Sequence, residues 1–153
     1  MDLPREFRDL LDRDHITTLI ARYVTTLDNG EFDMEWGRSL FTDDVHIEFP
    51  LGPVDGVERV VEQHRAVMSS WDRTLHFSSD HVVELDGDRA EVWGRLVALH
   101  VHANAEPRAP LIAAQKLQAT TVRTADGWRF ERVVLRPSWT TGEPPTDIEQ
   151  VIR

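Results

Sequence analysis

Two stretches of alternating apolar and polar residues dominate the centre of the chain: TLHFSSDHVVEL at positions 74–85 and RAEVWGRLVALHVHA at positions 89–103. Successive side chains of a β-strand point to opposite faces of a sheet, so a period of two predicts a half-buried strand in each stretch. The intervening Asp86-Gly87 favours a tight hairpin turn between them. The same pattern returns over 111–124 and 128–136. We therefore predict an antiparallel meander of four long strands.

The residues before the meander show helical periodicity instead. From 14 to 28, apolar residues recur three and four positions apart, and the run stops at Asn29-Gly30, where a left-handed C-cap is favourable. The same half of the chain contains further candidates for short elements: helices at 3–11, 32–41 and 57–68, and a strand at 45–49. Helices followed by an antiparallel sheet indicate an α+β fold in which the helices cover one face. We predict a single domain over residues 1–140 and a C-terminal tail over 141–153.

Composition and charge limit the class of protein. A chain of 153 residues with 41% hydrophobic residues is long enough for one domain with a substantial core. Its net charge of −10 disfavours nucleic acid and anionic membrane surfaces as partners, because both are negatively charged. The chain has no cysteine, which excludes disulfides, thiolate metal sites and cysteine nucleophiles. Because it lacks an apolar run of roughly 18 residues and an N-terminal signal pattern, we expect a soluble cytoplasmic protein.

Several short motifs resemble the SnoaL-like proteins of the nuclear transport factor 2-like superfamily. They are Arg22-Tyr23, LDNGEFD at 27–33, LFTDDV at 40–45 and DGWRF at 126–130. The resemblance covers roughly residues 12–140 and implies a cone-shaped α+β fold, in which a curved antiparallel sheet packs against three or four helices around a deep pocket. This scaffold hosts isomerases, dehydratases, cyclases, hydrolases and non-catalytic proteins, so the resemblance predicts the fold more specifically than the reaction.

The resemblance also implies a set of catalytic residues. In scytalone dehydratase and bile-acid dehydratase, which need no cofactor, an Asp at the end of the first helix orients a His from the first long strand. Asp28 and His76 match those two positions. His102 matches a second pocket histidine of scytalone dehydratase, and Tyr23 matches the pocket tyrosine of the bile-acid enzyme. A carboxylate that holds one imidazole nitrogen leaves the other free to take a proton, and Tyr23 or His102 can then assist the departing group.

Other interpretations of these residues remain open at this stage. Asp28 precedes Asn29-Gly30 and can instead organise the helix end, while Tyr23 lies on the apolar stripe of its helix and can be core. His100 and His102 lie two residues apart on one strand, so they project to the same face. With His76 and Asp28 they could form a histidine-rich metal site, which is the alternative mechanism. The resemblance favours chemistry without a metal or a cofactor.

A second group of residues is predicted to bind substrate, mainly by lining an apolar pocket: Phe49, Trp71, Leu96, His100, Leu117, Arg136 and Trp139. Phe49 stands where ketosteroid isomerase carries its base, an Asp, which disfavours isomerase chemistry. Aldol cyclases of the SnoaL type use a carboxylate from a late strand, whereas residues 111–125 contain no Asp or Glu. Arg136 is the candidate for holding an anionic or carbonyl group.

These observations favour a cofactor-independent lyase. We expect a dehydratase-type elimination on a small hydrophobic cyclic or polyketide-like substrate, with His76 as base and Asp28 as its orienting group. The alternatives are a polyketide cyclase or isomerase of the same fold, or a non-catalytic ligand-binding protein. The opposite sheet face carries Trp93, Val97 and Leu99, which are too apolar for water, so we also expect a homo-oligomer, either a dimer or a trimer.

Overall fold

The structure, a computed structural model, describes residues 4–102 and 108–145 of the chain. This part of the chain forms three helices and six strands. The helices are α1 (Arg5–Asn29), α2 (Met34–Leu40) and α3 (Val57–Met68). The strands are β1 (Phe41–Phe49), β2 (Gly52–Asp55), β3 (Trp71–Asp86), β4 (Arg89–His102), β5 (Leu111–Thr124) and β6 (Gly127–Thr141). This order is the predicted α+β arrangement.

The six strands form one curved, open sheet in the order β2-β1-β6-β5-β4-β3. The predicted meander is confirmed, because β3, β4, β5 and β6 pair successively in antiparallel fashion. The sheet is nevertheless mixed, since β1 pairs with β6 in parallel. Local alternation identifies a strand but contains no information on a neighbour that lies some 85 residues away, so this pairing was not predicted.

The N-terminal half differs from the sequence prediction in four places. The first strand, β1, begins at Phe41 rather than at residue 45, and β2 was not predicted. The helices predicted at 3–11 and 14–28 are one continuous helix, α1. The predicted left-handed cap at Gly30 is wrong, because Gly30 is extended, with φ −78° and ψ 146°. Glycine is required there for a different reason: a Cβ atom at position 30 would lie 2.2 Å from the carbonyl oxygen of Thr26.

The last strand continues beyond its predicted end at residue 136 to Thr141. Pro137 does not stop the strand, because the register between β5 and β6 shifts between Ala114 and Gln115, where Gln115 is paired with Pro137. A bulge is one of the few places where a sheet tolerates a proline, which has no N–H to donate. The proposed domain boundary at residue 140 stays a prediction, and residues 146–153 of the predicted tail lie outside the described residues.

A hydrophobic core lies between the helices and the concave face of the sheet. Asp12 of α1 accepts hydrogen bonds from Trp128 (3.1 Å) and Arg123 (2.6 Å), which join the helix to the far strands. The fully buried core side chains come from both layers: Ile16, Ile20, Tyr23, Leu40, Phe41, Val45, Ile47, Val60, Val92, Leu96, Leu117 and Phe130. The end of α1 meets β3 beside this core, where the candidate site lies.

Candidate functional site

A carboxylate and an imidazole meet where the last turn of α1 lies against β3. Oδ1 of Asp28 is 2.7 Å from Nδ1 of His76 and also accepts a hydrogen bond from the Thr74 hydroxyl at 2.7 Å. Oδ2 of Asp28 accepts the backbone N–H of His76 at 2.9 Å. The contact predicted between these two side chains is therefore present, and Asp28 serves β3 rather than the end of its own helix.

The electrostatic environment fixes the tautomer of His76. Burial alone would raise the pKa of Asp28, but the hydrogen bonds from His76 and Thr74 outweigh it, so the pKa lies below its usual value of 3.8. Asp28 is thus ionised at neutral pH and can only accept hydrogen bonds. Nδ1 of His76 must then carry the proton of this hydrogen bond, so Nε2 is the nitrogen that can exchange a proton with a bound molecule. The side chain of His76 is 5% exposed, and it borders a cavity.

The cavity has a volume of about 370 Å³ and mainly apolar walls. It lies between the concave face of the sheet and helices α1 and α3, beside the core. Its walls include these side chains: Tyr23, Leu27, Phe49, Leu51, Gln63, His64, Val67, Met68, Trp71, His76, Leu96, Ala98, His100, Gln115, Leu135 and Thr140. Because strand residues alternate, the members contributed by β4 are all even-numbered, and their odd-numbered neighbours face outward.

Four of the predicted substrate-binding residues line this cavity, namely Phe49, Trp71, Leu96 and His100. The other three do not. Leu117 is 2% exposed and belongs to the packed core. Arg136 pairs with Lys116 on the outer face, where both border a separate surface depression. Trp139 is 55% exposed, because the bulge at Pro137 brings Pro137 and Thr140 to the inner face and leaves Trp139 on the outer one.

The two histidines near the end of β4 have different surroundings. His100 lines the cavity, and its ring lies edge-on to His76 at 5.1 Å between centroids. His102 is not part of the cavity wall; its Nε2 donates to the carbonyl of Glu143 at 2.8 Å. Both rings contact Trp71, so they share a face as predicted, but only His100 reaches the cavity. The prediction that placed His102 beside the reacting groups is therefore not met by this geometry.

His100 is a neutral side chain in this setting. Burial lowers its pKa to about 4, so the ring carries no charge at neutral pH. Its Nδ1 is buried and has no hydrogen-bond partner within the described part of the chain. A buried polar atom without a partner is costly, which suggests that a ligand supplies the missing bond.

Tyr23 and His64 form a second polar pair in the cavity wall. The Tyr23 hydroxyl lies 3.0 Å from Nε2 of His64, and Nδ1 of His64 lies 2.7 Å from the carbonyl oxygen of Val60. Burial lowers the pKa of His64 to about 4 and raises the pKa of Tyr23 well above its usual value of 10. Sequence reasoning found no role for His64, because it falls on the apolar stripe of α3 with Val57 and Val60.

Gln115 is a further polar residue that sequence reasoning missed. It is 9% exposed and lines the cavity from β5, and its Oε1 has no partner among the described residues. The indole N–H of Trp71, which is 8% exposed, is likewise without a partner there. The sequence did contain a sign of this role, because Gln115 is a polar amide that alternates with Ala113 and Leu117 on the inward face of β5. These two groups offer a carbonyl acceptor and an N–H donor to a bound molecule.

Metal-ligating side chains do not cluster in the described part of the chain. Within residues 4–102 and 108–145, no group of three or more His, Asp or Glu side chains is placed to hold a metal ion. The histidine-rich site considered from sequence would also need His102, which is bonded to Glu143 instead. None of the helices described is long and apolar enough to cross a membrane.

Comparisons with known proteins agree with this architecture. No curated protein matches the chain. Among solved structures, the protein Kfla4162 from Kribbella flavida is 28% identical, with a TM-score of 0.80 over 87% of this chain and 95% of that one. A protein assigned provisionally as a scytalone dehydratase from Novosphingobium aromaticivorans is 21% identical, with a TM-score of 0.79 over 89% and 90%. Hexachlorocyclohexane dehydrochlorinase LinA-type3 from Novosphingobium barchaimii is 18% identical, with a TM-score of 0.77 over 90% and 94%. The family model that describes the SnoaL-like domain matches residues 8–134 of this sequence. The chain therefore belongs to the SnoaL-like family.

Proposed function

We propose that this SnoaL-like protein is a cofactor-independent lyase that eliminates water from a small hydrophobic cyclic substrate. The observation that carries the proposal is the Asp28–His76 pair beside a mainly apolar cavity. The carboxylate behind Nδ1 fixes the tautomer and stabilises the imidazolium that forms when Nε2 takes a proton. An imidazole in a mainly apolar cavity wall, with a carboxylate behind its Nδ1, is suited to removing a proton from carbon next to a carbonyl group.

The proposed reaction needs one acid-base group. Nε2 of His76 takes a proton from the carbon next to a carbonyl, and the C–H electron pair becomes the new C=C bond as the neighbouring C–O bond breaks. The departing hydroxyl leaves with the C–O electron pair and takes the proton from Nε2, which releases water and restores neutral His76. Because one nitrogen performs both transfers, the hydrogen and the hydroxyl leave from the same face of the substrate.

The other imidazole of the cavity is assigned to binding. The pKa of His100 is lowered to about 4 by burial, so its ring is a poor proton acceptor, but it contacts His76 and can hold an oxygen substituent. Tyr23 was the predicted proton donor, yet its hydroxyl bonds to His64, so its proton is already used. His102 lies off the cavity wall. The imidazolium of His76 is therefore the proton donor of this mechanism.

The cavity favours a ring-bearing substrate with few polar substituents. Its volume of about 370 Å³ is at the small end of ligand sites, which range from about 300 to 1,000 Å³. Apolar side chains such as Phe49, Leu96 and Met68 contact the ring, while Gln115 and the indole N–H of Trp71 hold its oxygen atoms. No carboxylate lines the cavity among the described residues, which disfavours an isomerase or cyclase that uses a carboxylate base. A polyketide-derived ring has these properties.

A substrate panel with matched variants tests the proposal. Cyclic β-hydroxyketones with one or two rings are incubated with the protein, and formation of the conjugated enone is followed by its ultraviolet absorbance. Wild type should form the enone, His76→Ala should lose about 100-fold or more of the rate, and Phe49→Leu should change it only by a few-fold. Thermal melting of each variant separates lost chemistry from lost folding.

Two results would contradict this assignment. Near-normal turnover in His76→Ala would exclude His76 as the base and make His100 the next candidate. Tight binding of the panel without conversion of any member would identify a non-catalytic ligand-binding protein of the same family.

A further inference from the structure

The hydrogen-bond direction between Tyr23 and His64 can be derived from the geometry. Nδ1 of His64 is 2.7 Å from the carbonyl oxygen of Val60, and a carbonyl only accepts, so Nδ1 carries a proton. The imidazole is buried among the rings of Trp36 and Phe49, with centroids at 5.0 and 5.3 Å. In the described part of the chain its only polar contacts are Val60 and Tyr23, so no carboxylate stabilises a charged form.

The neutral ring then decides what Tyr23 can do. Nε2 of His64 holds a lone pair and no proton, so across the 3.0 Å contact the phenol of Tyr23 must be the donor. Tyr23 is 1% exposed, and its ring is held edge-on by Phe41 and Phe130 at 5.6 and 5.8 Å. Its only proton is committed to His64. What remains for a ligand in the cavity is a lone pair on the phenol oxygen.

We infer that His64 makes Tyr23 a hydrogen-bond acceptor, so that this pair selects alcohols over ketones and alkyl halides in the cavity. A hydroxyl group donates to an acceptor, whereas a carbonyl oxygen or a halogen cannot. His64 is a positioning residue, because it acts through Tyr23. The inference deepens the proposed function by naming the hydroxyl as the leaving group, and it rests on that function only in taking the cavity as the substrate site.

The arrangement also fits the proton transfers proposed above. His76, the proposed base, and Tyr23 both line the same cavity. A substrate hydroxyl that donates its own proton to Tyr23 turns its lone pairs away from Tyr23. Those lone pairs are then available to the proton that His76 returns. Tyr23 therefore orients the leaving group without protonating it.

Binding of three related probes tests the inference without any turnover. The probes are 2-tetralol, 2-tetralone and 2-chlorotetralin, and the alcohol is inert because no carbonyl acidifies its C–H bonds. Calorimetric titration gives the ratio of the ketone Kd to the alcohol Kd for each protein. We expect wild type to prefer the alcohol over both other probes, and we expect this ratio to fall about fivefold to tenfold in Tyr23→Phe, which lacks the acceptor.

Two variants of His64 distinguish positioning from packing. His64→Gln keeps an amide oxygen to accept the phenol proton and should retain the alcohol preference. His64→Phe frees that proton, so Tyr23 can donate and the preference should shift to the ketone. His46→Gln, on a half-exposed ring outside the cavity, is the control and should leave the ratio unchanged.

A spectroscopic measurement covers the case in which His64→Phe does not fold. ¹⁵N NMR of histidine-labelled wild type should show the His64 ring protonated at Nδ1 alone, and the single tyrosine of the chain gives one ¹³Cζ signal that should respond to 2-tetralol. A proton on Nε2, or an unchanged ratio in Tyr23→Phe, would overturn the inference. Alcohol selectivity without water elimination from any β-hydroxyketone would instead refute the proposed lyase activity and leave this inference intact.

Discussion

Acidification should destabilise this protein through His64, a histidine that the fold keeps neutral. Burial lowers the pKa of His64 from 6.5 in a model peptide to about 4 in the folded chain. A folded-state pKa below the unfolded one means that the unfolded chain binds the proton more tightly. The stabilising contribution is therefore complete above pH 6.5 and is lost as the pH falls towards 4. Replacing His64 with a side chain that does not titrate should remove this loss.

The magnitude follows from the difference between the two pKa values. One pH unit of difference corresponds to about 1.4 kcal/mol, so the 2.5 units between 6.5 and about 4 give about 3 kcal/mol when the proton is fully bound in both states. At about pH 5, where the folded ring is still mostly neutral, about 2 kcal/mol of this is lost. A small domain is stable by only about 5 to 15 kcal/mol, so the effect is measurable.

The assay is urea unfolding at about pH 7.5 and pH 5 for wild type and His64→Gln. The amide keeps an acceptor for the Tyr23 hydroxyl and has no proton to gain. We expect the midpoint of wild type to fall by about 1 M more than that of the variant, for a urea dependence of about 2 kcal/mol per M. His81 and His100, whose pKa values are also lowered by burial, titrate in both proteins and cancel in the comparison.

The two largely buried carboxylates, Asp12 and Asp28, do not interfere in this pH window. The pKa values of Asp12 and Asp28 lie below 3.8, so their contribution is lost only under more acidic conditions. His15→Gln, which replaces an exposed histidine, is the matched control and should behave as wild type. An equal loss of stability in wild type and His64→Gln would refute the reasoning. It would mean that His64 is protonated in the folded chain, and the donor assignment for Tyr23 would fail with it.

Three further predictions concern stability, the single tyrosine and assembly. Asp12→Ala leaves the indole of Trp128 and the guanidinium of Arg123 without their buried acceptor and should cost about 2 to 3 kcal/mol in urea unfolding at neutral pH. Because burial raises the pKa of Tyr23, its phenolate absorbance should appear only with unfolding, and the free energy of unfolding should decrease as the pH rises above 10. Phe77→Glu, on the exposed outer sheet face, should shift the expected homo-oligomer towards monomer in analytical ultracentrifugation, and an unchanged mass would place the interface elsewhere.

The parts of the fold that follow from local patterns were predicted well. Alternation over β3 to β6 places every second side chain on one face. The register keeps that assignment without a shift between β4 and β5, whereas the pairing of β3 with β4 and that of β5 with β6 each contain two register shifts. The contact between Asp28 and His76 was predicted from the resemblance, because motifs at the end of a helix and in a strand fix two positions in a known arrangement. Neither residue alone would have indicated it, since they are 48 positions apart.

The remaining site residues could not be predicted, because their role depends on pairings that local sequence does not encode. His64 is spaced like an apolar core residue of α3, and its partner Tyr23 is 41 residues away. Trp139 was assigned inward by counting along a regular strand, but the bulge at Pro137 changes the face. His102 lies on the predicted face yet beyond the cavity, where it bonds to Glu143. Alternation predicts which face of the sheet a strand residue lies on, but not whether its position along the strand falls within the cavity.

The charge distribution around the cavity limits the substrate further. His64 and His100 are neutral because burial lowers the pKa of each to about 4, and the described cavity wall contains no Lys, Arg, Asp or Glu. Arg136, the candidate for holding an anionic group, lies on the outer face. A carboxylate substrate would lose its hydration without finding a cation, which costs several kcal/mol. A positive charge can therefore develop favourably only on the ring of His76, because the ionised Asp28 lies behind it. A neutral substrate matches this distribution, since the negative charge on the departing hydroxyl and the positive charge on the His76 ring arise together and disappear together when water leaves.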